Sequence, residues 1–325
     1  MRLNALRKID RIQIDIVDTS IEFNNCNRIF RSLAFRYKIG PVITLINKHI
    51  INNLWLYGTE LIDIIWVDKG VLILPQTIKH LKNHCIKLIH YTPDPAFYFH
   101  RSNLFNKGLQ DYDLLITTKS FEIDIYKQRT NGRILLSTQG FSPELHKPIH
   151  QFWEKDIHCC FVGHFEIERA EIIQFLIDNN IKVFLAGIKW SKFVSKNKNN
   201  SNLIYGGSQI LGEKYVDVIS RSYIGLGFLS TWIPEKHTTR TMEIPACGTL
   251  LATPYNSEIM SIFSNEIKSA LFYEDKVDLL FQIKRLFQNL DELEERTKIG
   301  MQIIRSNRYS YDETITDIFN IIVNE

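Results

Sequence analysis

Short runs of β-forming residues alternate with longer helical patterns along almost the whole chain. This alternation is typical of a parallel α/β architecture, in which each helix carries the chain back to the start of the next strand. The predicted strands of the first half are residues 12–18, 61–68, 86–92, 113–118 and 133–138. Those of the second half are residues 157–164, 182–187, 202–207, 222–228 and 249–253. We therefore expect two α/β halves.

A break in this pattern separates the two halves. Residues 143–156 follow neither a helix nor a strand period and contain Pro143 and Pro148, so we place a domain boundary there. A chain of 325 residues that is 45% apolar is long enough to bury two cores. Because ligands of such sheets bind outside the carboxyl ends of the strands, we expect a cleft between the halves. Residues 278–325 are predicted to be entirely helical.

Composition argues against several classes of protein. The net charge of +3 is far from the basic excess of a dedicated nucleic-acid binder, so no nucleic-acid partner is predicted. The apolar runs fall well short of the roughly 20 residues of a membrane helix, and the first residues do not resemble a secretory signal. The five cysteines are scattered without a C-x-x-C pair, which indicates a reducing compartment. We expect a cytoplasmic protein and leave a peripheral contact with the inner face of the membrane open.

The stretch "TTRTMEIPACGT" (238–249) contains the most informative local pattern. Thr238 suits the N-cap of a helix that starts near Thr239, and Gly248 suits its end. A free helix N-terminus offers backbone amides and a partial positive charge to a phosphate, and Arg240 in the first turn adds a cation. Glu243 lies one turn further along, where a carboxylate can accept two hydrogen bonds from a ribose diol.

Glu235 and Glu243 are separated by seven residues. An ordinary amphipathic helix with a surface ion pair between Arg240 and Glu243 explains the spacing as well as a ligand site does. On spacing alone, the two interpretations are about even.

Two loops carry weaker candidates. Gly163 lies where a predicted strand turns into a helix, and such a turn lets the backbone approach a ligand closely, although one glycine alone favours an ordinary βα turn. Asp94 lies between two prolines after a predicted buried strand, with aromatic residues following it. That loop suits a sugar or another polar acceptor, and a proline-stiffened connection explains it at least as well.

Metal and nucleophile motifs are weaker still. The clusters that suggest a metal are His80, His84 and Cys85, and then His158, Cys159, Cys160 and His164. Neither cluster has the full ligand spacing of a structural zinc site, and adjacent residues on a strand point to opposite faces. We therefore predict no metal site, and the chain has neither a P-loop nor a G-x-S-x-G motif.

Four stretches together carry a resemblance to a known family. They are "RLNALRKIDRIQIDIVD", "VDKGVLILPQTIKHLKNHCIKLIHYTPDPAF" followed by "YDLLITTKSFEIDIYKQRTNGRILLSTQGFSPELHKP", "CFVGHFEIERAEIIQFLIDNNIKVFLAGIKW" and "YVDVISRSYIGLGFLSTWIPEKHTTRTMEIPACGTLLAT". Most of the chain resembles the GT-B glycosyltransferases of the spore-maturation (CgeB-like), or glycosyl transferase group 1, type. The R-x-x-E-I-P-A-C-G core is the most specific piece, and the Glu235–Glu243 spacing is similar to the E-x7-E signature of related retaining enzymes.

The resemblance implies an α/β fold with two Rossmann-like domains that face a cleft. Residues 1–148 would be an acceptor domain, residues 149–308 a nucleotide-sugar-binding domain, and residues 309–325 a helix that packs back on the N-terminal domain. Family members usually begin with a β-strand and a glycine-rich turn before the "RLNAL" segment. Since Met1 directly precedes that segment, we expect the first strand of the N-terminal sheet to be missing.

The resemblance also implies roles for the residues of the donor site. Glu243 would hold the ribose, while the amides near Thr238 and Thr239, together with Arg240, would face the diphosphate. The turn at Gly163 and His164 would line the same site.

Two carboxylates are the candidate catalytic residues. Asp94 would face the cleft from the acceptor domain, and Glu235 would contact the sugar. The segment "PEKHTTR" lacks the glycine that usually follows the first glutamate of the signature, which weakens the assignment of Glu235.

The function implied is transfer of a sugar from a nucleotide-diphosphate sugar to a glycan, lipid or protein acceptor. The spacing favours retention, and the resemblance implies that no metal and no cofactor is needed, because the donor itself is the nucleotide-bearing ligand. One alternative is a non-catalytic, degenerate GT-B protein that binds a nucleotide-sugar or glycan without turnover. Another is a sugar epimerase with the same fold.

Overall fold

The computed structural model describes residues 1–58, 60–98 and 101–324. The α-helices are α1 (Arg2–Leu6), α2 (Ser20–Asn25), α3 (Arg28–Tyr37), α4 (Pro41–Leu54), α5 (Pro75–Lys82), α6 (Asn103–Gly108), α7 (Ile123–Arg129), α8 (Ile167–Asp178), α9 (Ser191–Lys196), α10 (Glu213–Arg221), α11 (Thr239–Ala246), α12 (Ser257–Ile262), α13 (Lys276–Phe287), α14 (Leu290–Ser306) and α15 (Tyr311–Val323). The strands are β1 (Ile62–Asp68), β2 (Cys85–Thr92), β3 (Leu114–Thr117), β4 (Arg133–Leu136), β5 (Ile157–Val162), β6 (Val183–Ala186), β7 (Leu203–Tyr205), β8 (Ser222–Leu226), β9 (Leu250–Pro254) and β10 (Leu271–Tyr273). Short 3-10 turns cover Trp55–Tyr57, Leu109–Asp111, Ser120–Glu122, Phe152–Glu154 and Ile267–Ser269.

The chain divides into two compact units, each with its own sheet. The four-stranded unit is Asp10–Thr138, and the six-stranded unit is Met1–Ile9 together with Gln139–Glu325.

The sheet of the four-stranded unit is parallel throughout, in the order β1-β2-β3-β4. Its inner strands β2 and β3 are largely apolar, and Leu88, Ile89 and Leu115 are fully buried. Such strands are expected where helices cover both faces of a parallel sheet. Helices α4 and α5 supply part of that cover through Ile46 and Ile78.

The sheet of the six-stranded unit has the order β10-β9-β8-β5-β6-β7, again with every pair parallel. The chain moves from β5 outwards to β6 and β7, and it then returns to place β8, β9 and β10 on the other side. Strands β5 and β8 are therefore neighbours from which the connections diverge. In open α/β sheets, ligands bind outside the carboxyl ends of the strands at such a switch point.

The two ends of the chain lie in the same unit. Helix α1 packs against α15, and the Lys8 ammonium contacts the carboxylates of Glu144 and Asp312, each at 2.7 Å. Helix α15 begins at a capping box in which Ser310 and Glu313 satisfy each other's backbone amides. The C-terminal helix is thus held by residues at the start of the chain.

The α/β prediction is confirmed, and every predicted strand except 12–18 coincides with a strand of the structure. Residues 12–18 pair with no strand among the described residues, and Ile16 and Val17 are exposed. Strand β10 has no counterpart among the predicted strands. Helices α13, α14 and α15 confirm that the last segment is helical. None of the described helices combines the length and apolar character needed to cross a bilayer.

Candidate active site

Helix α11 starts and stops where the local sequence predicts. Thr238 is the N-cap, in an extended conformation, and its backbone amide donates to Thr241 Oγ1 at 3.2 Å. Met242 is fully buried and anchors the helix in the core. The chain turns away at Gly248, whose φ of +74° lies in the region that favours glycine. The first turn of α11 therefore has a fixed position at the edge of the core.

Arg240 extends from that turn across the carboxyl ends of two neighbouring strands. Its guanidinium nitrogens lie 3.5 Å from the carbonyl oxygens of Val162, at the end of β5, and Phe228, just beyond β8. The guanidinium also lies 5.7 Å from the centre of the Phe161 ring. The structure records no ion pair between Arg240 and Glu243, so the surface-pair interpretation of their spacing is wrong. Arg240 instead places a positive charge at the switch point of the sheet.

Glu243 lies further along α11 with 12% of its side chain exposed. The Tyr215 hydroxyl donates to Glu243 Oε2 at 2.9 Å. Burial raises the pKa of Glu243, whereas the hydrogen bond from Tyr215, the charge of Arg240 and the side chain of Thr239 lower it. His146 Nε2 lies 3.9 Å from the second oxygen, Oε1, which is beyond hydrogen-bond distance. This carboxylate therefore keeps acceptor capacity.

His146 is buried beside Glu243, and burial lowers the pKa of its imidazole to about 4. Its Nδ1 accepts a hydrogen bond from the Ser142 amide at 3.0 Å, which places the proton of the neutral ring on Nε2. The protonated nitrogen is the one nearer to Glu243. The neutral imidazole thus lies beside the carboxylate without neutralising it.

A buried ion pair lies at the start of α8, just after β5. Glu166 Oε1 lies 2.9 Å from the Arg169 guanidinium and 2.8 Å from His164 Nε2. Glu166 and Arg169 are almost completely buried, whereas about half of the His164 side chain is exposed. Two charges removed from water are stable only when they are paired and hydrogen-bonded, which is the arrangement here.

The loop after β8 is tied to this pair. Ser230 Oγ and the Thr231 amide donate to Glu166 Oε2 at 3.3 Å and 3.4 Å. Within the loop, the Ser230 amide donates to Glu235 Oε2 at 3.0 Å, and Glu235 is half-buried. Glu166 therefore holds the segment that carries Glu235.

Burial and the nearby Arg240 guanidinium both lower the pKa of Arg169, while the carboxylates of Glu166 and Glu235 raise it. Arg169 and Arg240 lie close enough to repel each other, and each lies 5.7 Å from the centre of the Phe161 ring. Two guanidinium groups and a set of carboxylates therefore converge after β5 and β8. Such convergence of opposite charges is a common property of functional sites.

The predicted glycine turn after β5 is present and closely packed. The Gly163 carbonyl accepts a hydrogen bond from the Trp190 indole at 2.8 Å. Gly187, after β6, has a φ of +140°, and a Cβ there would lie 1.8 Å from the Gly163 oxygen. The two loops therefore approach each other at a distance that only glycine permits at position 187.

Asp94 belongs to the four-stranded unit and follows β2. Its carboxylate pairs with the Lys69 ammonium at 2.5 Å, and Lys69 directly follows β1. The Thr92 hydroxyl exchanges hydrogen bonds with the Asp94 backbone at 2.9 Å and 3.2 Å. The ion pair thus lies at the carboxyl ends of two neighbouring strands, as expected for a loop that follows β2.

The structure brings seven of the predicted site residues into the six-stranded unit: Gly163, His164, Glu235, Thr238, Thr239, Arg240 and Glu243. Sequence reasoning missed Glu166, Arg169, His146 and Tyr215. An acidic and a basic residue three apart in the first turn after Gly163 would have been a signal for the first two. Tyr215 and His146 come from distant segments, and nothing in their local sequence marks them.

The described residues contain no group of three or more His, Cys, Asp or Glu side chains that could hold a metal ion. Cys159 and Cys160 are buried in the cores of the six-stranded unit. All five cysteines are free.

Residues 169–320 match the family model described as glycosyl transferase-like. No curated protein matches the sequence. Solved structures do match it in shape. HepE of Anabaena in complex with UDP-glucose is 12% identical, with a TM-score of 0.61 over 88% of this chain and 84% of that one.

The E. coli trehalose-6-phosphate structure with UDP-2-fluoro glucose is 14% identical, with a TM-score of 0.60 over 94% and 84%. The trehalose 6-phosphate synthase of Burkholderia multivorans is 12% identical, with a TM-score of 0.59 over 92% and 78%. The chain therefore has the GT-B fold, and the part of it that matches the glycosyl transferase-like family carries most of the candidate site.

Proposed function

We propose that this protein is a glycosyltransferase that moves a sugar from a nucleotide-diphosphate sugar to an acceptor. One observation carries the proposal. Arg240, in the first turn of α11, reaches the switch point between β5 and β8, and Glu243 lies one turn further along, within the region that matches the glycosyl transferase-like family. In this proposal the arrangement would supply a site for the diphosphate, an acceptor for the ribose, and positive charge where the leaving group forms.

The diphosphate would lie at the start of α11. The amides of Thr239 and Arg240 follow the N-cap Thr238, and the helix dipole favours an anion there. The Arg240 guanidinium adds charge-assisted hydrogen bonds, and Arg169 adds a buried positive charge behind it. The turn at Gly163 and His164 would line the same site.

The ribose would bind Glu243. A carboxylate has roughly four lone-pair positions, and Tyr215 uses one of those on Oε2. The remaining capacity suits two adjacent hydroxyl groups. Because only an ionised carboxylate accepts in this way on both oxygens, the raised pKa of Glu243 makes donor binding sensitive to acid.

Bond cleavage would leave negative charge on the diphosphate as the sugar departs. Donors fixed at that position before the reaction stabilise the charge without reorganisation, and this is usually the largest catalytic contribution. The seven-residue spacing of Glu235 and Glu243 favours retention, with Glu235 beside the sugar and Asp94 on the acceptor side. The mechanism proposed needs neither a metal nor a cofactor for this step.

We propose a uridine diphosphate sugar as the first donor to test, since HepE and the E. coli protein were both determined with UDP-bearing ligands. The acceptor would be a glycan, lipid or protein, as in the spore-maturation (CgeB-like) type that the sequence resembles. The acceptor domain would correspond to residues 1–148 and the donor domain to residues 149–308. The location proposed is the cytoplasm, and a peripheral contact at the inner face of the membrane stays open.

The test is a titration with UDP, GDP, ADP and their common sugar conjugates, followed by the thermal unfolding midpoint. A ligand that binds only the folded state raises the midpoint by mass action. We expect a rise with one nucleotide that is lost in Glu243→Ala and kept in Glu171→Ala, an exposed glutamate on α8. Circular dichroism would check that both variants fold.

The nucleotide that binds would then enter a turnover assay with its sugar conjugate. Release of free nucleotide would support transfer or donor hydrolysis. Binding without release under any acceptor condition would favour the non-catalytic alternative. A midpoint that no nucleotide raises would contradict the proposal.

A further inference from the structure

A cavity on the four-stranded unit has a lining that the proposed donor site does not use. Its volume is about 470 Å³. Its walls are the C-terminal end of α3, the loop after β2, the start of α6 and the last residue of α7. The cationic residues of the lining are Arg36, Lys38, Arg101 and Arg129. None of the described residues that line the cavity carries a carboxylate.

The cations have no acidic partners. Among the described residues, none of the four forms an ion pair with an aspartate or glutamate. Arg129 instead stacks 4.8 Å from the centre of the Phe97 ring, and the Lys38 ammonium donates to the Phe35 carbonyl at 2.5 Å. Burial lowers the pKa of Lys38, so the ammonium there lacks the hydration of a surface lysine. Four cations in one concave surface repel each other until an anion enters.

The carboxylate that contacts the Phe97 backbone does not relieve this repulsion. Glu122 is fully buried and accepts the amides of Ala96 and Phe97 at 2.9 Å and 2.8 Å. Burial raises the pKa of Glu122. It stabilises the loop that carries Phe97 and is not part of the lining.

One wall of the cavity holds a buried acceptor without a donor. Asn106 lines the cavity, and its Oδ1 is buried with no hydrogen-bond partner among the described residues. An amide oxygen in that state needs a donor, because leaving it unsatisfied is costly. A hydroxyl group on the ligand would supply one. Tyr37 and Phe97 offer ring surfaces beside the cations.

We propose that this cavity is a second ligand site, which binds a phosphate group attached to a hydroxyl-bearing moiety. The arginines bind the phosphate oxygens, and Asn106 accepts the hydroxyl. Arginine suits this task because its planar guanidinium donates two parallel hydrogen bonds to a phosphate. Two sources share the chemistry: a soluble phosphate ester and the headgroup of an anionic lipid. The site is independent of the proposed donor site.

The lipid source is included because apolar side chains adjoin the cavity. Phe35, Tyr37 and Ile39 are more than half exposed, at 59%, 65% and 57%. They lie on the same segment as Arg36 and Lys38, and this segment contains no acidic residue from 28 to 39. Basic and apolar side chains together favour the interface of an anionic bilayer.

The experiment compares two double variants of the full chain. Arg101→Gln with Arg129→Gln removes two charges from the cavity. Lys48→Gln with Lys79→Gln removes two charges from exposed positions elsewhere on the same unit. Glycerol phosphate and inorganic phosphate would be titrated calorimetrically, and sedimentation would measure binding to vesicles of 30% phosphatidylglycerol in phosphatidylcholine against pure phosphatidylcholine.

We expect the cavity variant to weaken binding at least tenfold and the surface variant to leave it within about twofold. If Arg129→Gln disturbs the loop, Arg36→Gln alone, at an exposed position, should still weaken binding several-fold. Binding of glycerol phosphate in solution would identify a soluble ester, and binding to the anionic vesicles alone would identify a lipid headgroup.

Two results would overturn the proposal. One is that the protein binds neither the two soluble phosphates nor the anionic vesicles. The other is an equal loss in both double variants, which would show attraction to general surface charge. Nucleotide binding by the cavity variant provides a separate readout, since that variant leaves α11 intact whether or not the donor proposal holds.

Discussion

One arginine of the six-stranded unit and three arginines of the four-stranded unit lie in opposite environments. In the six-stranded unit, Arg169 is 2% exposed and pairs with the fully buried Glu166. In the four-stranded unit, Arg36, Arg101 and Arg129 are exposed around a cavity without a carboxylate. A buried charge must be paired for the chain to fold, so the first arrangement is set before any ligand arrives. The exposed cations are solvated, so their mutual repulsion lowers the stability of the fold less than an unpaired buried charge would. A bound anion would fix their positions.

The largest expected effect tests this difference directly. Replacing Arg169 by methionine removes the buried guanidinium that pairs with Glu166 and leaves the carboxylate with His164, Ser230 and Thr231 alone, and we expect a loss of about 3–5 kcal/mol in the free energy of unfolding. The matched change Arg129→Met removes an exposed cation over a ring and should cost about 1 kcal/mol or less. Urea unfolding of both variants would give the comparison.

A second change shows whether charge or shape causes that loss. Adding Glu166→Gln to Arg169→Met removes the remaining carboxylate charge and should recover part of the stability. If Arg169→Met and Arg129→Met lower the free energy of unfolding equally, the buried and the exposed arginine do not differ in their contribution to stability.

The buried histidines are a point at which the units should behave alike. Burial lowers the pKa of His146 in one unit and of His90 in the other to about 4, against an ordinary value of 6.5. Between pH 6.5 and pH 4 the unfolded chain binds more protons than the folded chain. The stabilising contribution of each neutral histidine is therefore fully present above pH 6.5, and it is lost as the pH drops towards 4. Each histidine should account for about 3 kcal/mol of that fall.

The measurement is the decrease in the free energy of unfolding between pH 7 and pH 4. It is compared between the wild type and each of the variants His146→Gln and His90→Gln. The difference isolates each imidazole from the carboxylates that titrate in the same range. A wild-type pH dependence in either variant would show that the corresponding histidine is protonated in the folded state.

Asp94 tests whether the four-stranded unit contributes to the reaction. Its pair with Lys69 is partly exposed, so Asp94→Asn should change the free energy of unfolding by less than about 1 kcal/mol. If Asp94 serves the acceptor as a base, transfer should fall by roughly 10²-fold or more. Nucleotide affinity should stay the same. If the free energy of unfolding falls by as many kcal/mol as the lost activity corresponds to, Asp94 has a structural role instead.

The smallest effect sharpens the description of the donor site. Because burial raises the pKa of Glu243, nucleotide affinity should fall as the pH drops through that raised value, since the protonated group loses acceptor capacity. The measurement is the dissociation constant at a series of pH values from 7 downwards, and it should rise towards the acid end of the series. Glu243→Gln should bind the nucleotide more weakly, and its affinity should no longer depend on pH in this range. If the variant keeps the wild-type pH profile, the titrating group is not Glu243.

Several features could be predicted because they depend on neighbours in sequence. The alternation of runs predicts the parallel sheets, since period and burial are local properties of a strand or helix. Thr238 and Gly248 mark the ends of α11 because capping and a left-handed turn need only the residues beside them. The segment 12–18 shows the limit of this reasoning, because a β-forming run becomes a strand only when another strand pairs with it.

The direction of a side chain was decided by tertiary structure. Local spacing allowed Arg240 either to pair with Glu243 on a surface or to reach a ligand site, and the carbonyl ends of β5 and β8 determined its direction. Tyr215 and His146 reach Glu243 only because the sheet order places their segments beside α11. The sequence by itself thus determined the elements and their ends, through short-range periodicity and capping. The arrangement of charges was decided by packing, since burial and pairing depend on residues that are distant along the chain.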